Sequence, residues 1–81
     1  MKEKARVTIY TKPGCHLCDE AKRQIVAAAC EDLYELEEVN IETDAELFER
    51  YKHSIPVIAI NGTEAFKYHL TPAAFKKALK T

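Results

Sequence analysis

Two cysteines three positions apart, Cys15 and Cys18, stand where a strand-like pattern gives way to a helical one. Upstream, residues 6–10 (RVTIY) are β-branched and aromatic and read as a strand. Lys12-Pro13-Gly14 then supplies a turn. Residues 16–30 read as a helix: Leu17, Ala21, Ile25 and Ala28 fall on one face, and Ala27-Ala28-Ala29 has high helix propensity. A strand followed by such a helix implies a right-handed crossover to a second, parallel strand. Residues 36–41 supply it, although the apolar phase slips between Leu36 and Val39 and leaves the register open.

The remaining segments complete a sheet. Thr43-x-x-Glu46 has the form of a capping box, opening a second helix that carries Leu47, Phe48 and Tyr51 inward. Residues 57–60 form a short apolar run suited to a buried strand. Asn61-Gly62 tolerates positive φ at both positions and predicts a two-residue hairpin turn, so that residues 63–68 return as a strand. Thr71 precedes Pro72 as an N-cap precedes a first-position proline, and the last helix puts Phe75, Ala78 and Leu79 on one face. The order β-α-β-α-β-β-α predicts an α/β fold with a four-stranded mixed sheet and helices packed on it.

At 81 residues the chain is short for a second core, so residues 1–81 are read as one domain. Its 47% apolar content argues against disorder. A net charge of −1 gives no pull toward nucleic acid or an anionic membrane. No apolar run approaches the ~18 residues that a membrane span needs. Met1-Lys2-Glu3-Lys4 leads into the first strand with no apolar stretch of a secretory leader, so a cytoplasmic location is expected. Cysteines are kept reduced there, and a close pair is more often catalytic or metal-binding than a staple.

The position of the pair carries chemistry. A thiolate at a helix N-terminus meets unpaired backbone N–H groups and the positive end of the helix dipole. The pKa of Cys15 is therefore expected to fall below the ~8.5 of a free thiol. Lys12 and a protonated His16 would reinforce this, while Asp19 and Glu20 would oppose it. Cys18 lies one turn further on, with its Cα about 5–6 Å from that of Cys15, within disulfide range. Cys15 can then attack a substrate disulfide and Cys18 can resolve the mixed disulfide. Half of a zinc site looks similar, but no second CxxC and no HxxxH accompanies this one. Cys30 would lie about 18 Å from Cys18 along an unbroken helix and joins the site only if that helix breaks. It reads as a buried small hydrophobe. His53 reads as a solvent-facing loop residue; only if the fold brings His69 to the pair do Cys15, Cys18 and His69 give the alternative of a zinc or iron–sulfur module.

The run VTIYTKPGCHLCDEAK, with Ile55-Pro56-Val57 and the Asn61-Gly62 hairpin, resembles the thioredoxin/glutaredoxin superfamily over nearly the whole chain. More narrowly it resembles small bacterial glutaredoxin-like proteins with a CHLC-type motif. The resemblance implies a thioredoxin-like, glutaredoxin-type fold and a protein-disulfide oxidoreductase with Cys15 as nucleophile and Cys18 as resolving cysteine. It implies that Pro56 is cis and faces the cysteines, leaving the Ile55 backbone to pair with an extended substrate. It assigns Lys12 to the carboxylate of glutathione. Two departures stand out: His16 and Leu17 replace the proline usual within the motif, and Tyr68-His69-Leu70-Thr71 replaces a glycine pair that holds glutathione. The implied partners are protein disulfides or glutathione mixed disulfides as substrates, and a thiol reductant, either glutathione or a thioredoxin reductase-like enzyme. Lys12, His16, Ile55 and Pro56 are the expected substrate-binding residues. No cofactor beyond the cysteine pair, no nucleic acid, no membrane and a monomeric state are expected.

Overall fold

The computed structural model describes residues 4–79; the Met1-Lys2-Glu3 start lies outside the described residues. The elements run β1 (Ala5–Thr11), α1 (His16–Ala27), β2 (Tyr34–Asn40), α2 (Ala45–Tyr51), β3 (Val57–Ile60), β4 (Thr63–Lys67) and α3 (Pro72–Leu79), in the expected order. Two short 3₁₀ turns, Glu31–Leu33 and Ile41–Thr43, flank β2. The sheet order is β2-β1-β3-β4. β1 runs parallel to β2, with Val7 opposite Leu36, and antiparallel to β3, with Ile9 opposite Ile58. β4 closes on β3 as a hairpin in which Ile60 faces Thr63. Asn61 (φ 52°) and Gly62 (φ 84°) make the two-residue turn that their chemistry predicts.

β1 is central and covered on both faces, which is why Val7, Thr8 and Ile9 are all buried without polar alternation. On one face Val7, Ile9 and Ile58 pack with Ile25 of α1 and Phe75 of α3. Tyr10 points to the other face by strand alternation and stacks on Tyr51 of α2, with ring centroids 4.6 Å apart. This second cluster also holds Cys18, Ile41, Ile55 and Val57, with Cys15 packed against it.

Several local expectations are corrected. α1 stops at Ala27 rather than continuing to residue 30: Ala28 caps it and Ala29 takes a left-handed φ of 54°. Helix propensity loses here to packing, because the turn lets Cys30 and Tyr34 enter the core beside Phe75. The helix does break, then, but Cys30 goes to the first cluster and Cys18 to the second. Leu17 is not on the buried face; it is 49% exposed, and Cys18, Ala21, Ile25 and Ala28 form the stripe instead. β2 begins two residues early and Ile41 leaves it for a 3₁₀ turn. Asp44 caps α2 in place of Thr43, accepting from the N–H groups of Glu46 (2.9 Å) and Leu47 (3.2 Å), while the Thr43 hydroxyl donates to the Asn40 carbonyl. Thr71 caps α3 as expected, accepting from the Ala74 N–H at 3.1 Å.

Candidate active site

The site forms where β1 ends and α1 begins. The chain leaves β1 at Thr11 and turns through Lys12-Pro13-Gly14. Gly14 has a φ of 80°, which a residue with a side chain rarely adopts. The Cys15 N–H closes the turn on the Lys12 carbonyl at 3.3 Å. Cys15 is then the N-cap of α1, in extended conformation (φ −87°, ψ 107°). Its Sγ accepts the otherwise orphaned N–H of Cys18 at 3.1 Å. The two sulfurs are bonded to each other and the Cα atoms lie 5.2 Å apart. Exposure divides the pair: Cys15 is half-buried, while Cys18 is 1% exposed beneath it.

The Ile55-Pro56 peptide is cis, and Pro56 is fully buried. Ile55 and Val57 share one apolar cluster with Cys18, and Cys15 packs against it. The fold thus brings the expected Ile55-Pro56 segment to the cysteines. Ile55 itself donates and accepts no backbone hydrogen bond with another described residue, whereas the Pro56 carbonyl accepts from the Tyr68 N–H at 2.8 Å. Of the remaining expected site residues, His16 is exposed at the first position of α1 and Lys12 is half-buried in the turn. Lys12 lines a polar cleft of about 250 Å³ with Gly14, Asp19, Lys22 and Glu38, on the β2 side of the cysteines.

The acidic residues following the pair are each engaged by a cation. Lys22 bonds Glu38 at 2.6 Å and lies 3.6 Å from Asp19; the Glu38 bond is the main cause raising the Lys22 pKa above its ordinary value. Arg23 pairs with Glu20 and, with Gln24, holds the Glu20 carboxyl below its usual range. These salt bridges are exposed and contribute little to stability.

His53 and His69 are both exposed, and among the described residues no group of three or more His, Cys, Asp or Glu side chains is arranged to hold a metal ion. Sequence reasoning missed the role of two tyrosines. Tyr51 donates to Glu64 of β4 at 2.8 Å, and burial, then that bond, pushes its hydroxyl pKa up. Tyr68 donates its hydroxyl to the His53 carbonyl at 3.1 Å. The signal at Tyr68 is a bulky aromatic directly after an edge strand, at a position that the sequence pattern assigns to the strand itself.

Residues 6–80 match the family model described as Glutaredoxin-like domain (DUF836). The Glutaredoxin-like protein YDR286C homolog of Dictyostelium discoideum is 33% identical over 70 residues, covering 79% of this chain and 65% of that protein. The chain therefore spans about two thirds of the length of that curated relative. Among solved structures, a protein from Nitrosomonas europaea is 25% identical with a TM-score of 0.80, covering 96% of this chain and 94% of that one. A protein from X. campestris is 24% identical with a TM-score of 0.78, covering 91% and 95%. The oxidised form of mitochondrial thioredoxin 3 from Saccharomyces cerevisiae superposes at a TM-score of 0.68 with 10% identity, covering 98% and 79%, a likeness of fold alone.

Proposed function

The chain belongs to the glutaredoxin-like domain family, and on that premise we propose that it is a thiol–disulfide oxidoreductase that reduces protein disulfides or mixed disulfides with glutathione. The observation that carries this reading is the unlike burial of two bonded cysteines at a helix N-terminus, one reachable and one enclosed. In the reduced protein the Cys18 N–H that meets Sγ of Cys15 would stabilise a thiolate there.

The Cys15 thiolate attacks one sulfur of a substrate disulfide. A Cys15–substrate disulfide forms, the substrate S–S bond breaks, and the departing thiolate takes a proton from solvent. Cys18, deprotonated, attacks the Cys15 sulfur and releases the second substrate thiol. The substrate has gained two electrons and two protons, and the protein holds the Cys15–Cys18 disulfide. Two equivalents of an external thiol return it to the dithiol by the same exchange in reverse.

On this reading the Ile55 backbone pairs with an extended substrate, Lys12 and His16 flank the reacting sulfur, and no bound cofactor is needed. We place the protein in the cytoplasm as a monomer, with glutathione or a thioredoxin reductase-like enzyme as donor and no nucleic-acid or membrane partner. No helix among the described residues is long and apolar enough to cross a membrane. Tyr68 and His69 crowd the stretch where glutathione would sit, so protein disulfides should be the better substrates. A turnover assay on an intrachain peptide disulfide beside a glutathionylated peptide tests this. Higher kcat/KM on the intrachain disulfide is expected; preference for the glutathionylated peptide would contradict the substrate assignment, and turnover of neither would contradict the activity.

A further inference from the structure

We propose that Tyr68 is a positioning residue that holds the segment from His53 to Pro56 at both ends, so that the free backbone groups of Ile55 are presented beside Cys15. This deepens, and rests on, the oxidoreductase reading.

Tyr68 follows the last residue of β4 and has a φ of 69°. The His69 N–H closes on the Lys67 carbonyl at 2.8 Å around it. This is a three-residue γ-turn of the positive-φ kind, which is rare and strained. For a bulky side chain such a φ is unfavourable, and glycine would take it at no steric cost. A strained residue persists where its surroundings over-determine it. Burial of the ring is not what holds it, since Tyr68 is 46% exposed.

Two hydrogen bonds do hold it, and both end on one short segment. The backbone N–H of Tyr68 donates to the Pro56 carbonyl at 2.8 Å, and its hydroxyl donates to the His53 carbonyl at 3.1 Å. Between those carbonyls lie Ser54 and Ile55. The Ser54 N–H is committed to the Tyr51 carbonyl at 2.8 Å, and the Tyr51 hydroxyl is tied to Glu64 of β4. The segment is thus fastened to the end of β4 and to α2, and Ile55, which makes no backbone hydrogen bond with another described residue, shares its apolar cluster with Cys18. A strand-like peptide pairing there would find the backbone already ordered, which lowers the entropy lost on binding. The side chain of Tyr68 supplies the fastening that a glycine would lack.

Tyr68→Phe removes only the hydroxyl. Wild type and variant are compared on two disulfides: an intrachain-disulfide peptide, which has a backbone to pair with Ile55, and bis(2-hydroxyethyl) disulfide, which has none. The variant should lose about three- to tenfold in kcat/KM on the peptide, the worth of one hydrogen bond, through KM rather than kcat. Its rate on the small disulfide should match wild type, and hydrogen exchange at the Ser54 amide, which is bonded to the Tyr51 carbonyl, should quicken. Tyr68→Gly relieves the positive φ while keeping the N–H, so its Tm should equal or exceed that of wild type while its peptide KM rises at least as far. Equal losses on both disulfides, or none on the peptide, would overturn the positioning role and leave the oxidoreductase reading standing. A wild-type protein that reduces neither disulfide would overturn that reading and the proposal with it.

Discussion

Cys30 is the third cysteine and has no part in the proposed exchange. It is 7% exposed and packs with Val7, Tyr34 and Phe75, on the side of the core away from Cys18. Cys30→Ala should therefore leave kcat/KM on a peptide disulfide unchanged and lower stability by about 1 kcal/mol, the ordinary cost of a small core truncation; denaturant unfolding beside the turnover assay checks both. The burial of Cys30 was legible from its residue type, since free cysteine behaves as a small hydrophobe. The left-handed turn at Ala29 that delivers it was not, because alanine carries no signal for positive φ. Leu17 shows a related failure. A helical face is read by collecting apolar residues at matching spacing, and a cysteine of a reactive pair does not count as one. Cys18 is nevertheless the first residue of the buried stripe, and counting it there turns Leu17 to solvent beside the pair. Tyr68 was legible as a departure from a family pattern, but its two bonds to the His53–Pro56 segment depend on tertiary placement alone.

Among the elements, the boundaries moved where two residues could serve one purpose. Thr43 and Asp44 are both good N-caps, and the 3₁₀ turn before α2 decides between them by committing the Thr43 hydroxyl to Asn40. Asp44→Ala should cost about 1 kcal/mol of stability as a lost N-cap, and Thr43→Ala should cost less, by the difference between a cap and a single exposed bond. Thermal or chemical unfolding of the two variants reads the order; a larger loss at Thr43 would restore the capping box that the sequence suggests. β2 was the least legible strand for a different reason. It lies at the sheet edge with most of its side chains in water, so little alternation of burial exists for its sequence to record. The hairpin and α3 were legible because Asn61-Gly62 and Thr71-Pro72 fix backbone geometry locally, whatever the rest of the chain does.

For the molecule as a whole, two buried tyrosines set an alkaline limit. Burial is the first cause raising the pKa of both Tyr34 and Tyr51 above that of an unfolded chain. A raised folded-state pKa means the unfolded chain gives up its protons first. Their contribution to stability is thus fully present below about pH 10 and is lost as pH rises through the folded values. Unfolding midpoints should fall above that pH, and Tyr51→Phe should make the fall shallower even though it loses the bond to Glu64. A fall as steep as in wild type would mean that Tyr51 does not share in it.

The proposed exchange divides its labour between a reachable Cys15 and an enclosed Cys18. Reactivity follows thiolate character and access, so the two cysteines should behave unlike one another when each is left without its partner. Reduced Cys18→Ser and reduced Cys15→Ser are exposed to oxidised glutathione, and the adducts are located by mass spectrometry of the proteolysed proteins. A stable glutathione adduct is expected on Cys15 of the Cys18→Ser protein, since nothing within that protein resolves it, and none on Cys18 of the Cys15→Ser protein. An adduct on Cys18 in the second variant, or no adduct on Cys15 in the first, would contradict the proposed exchange.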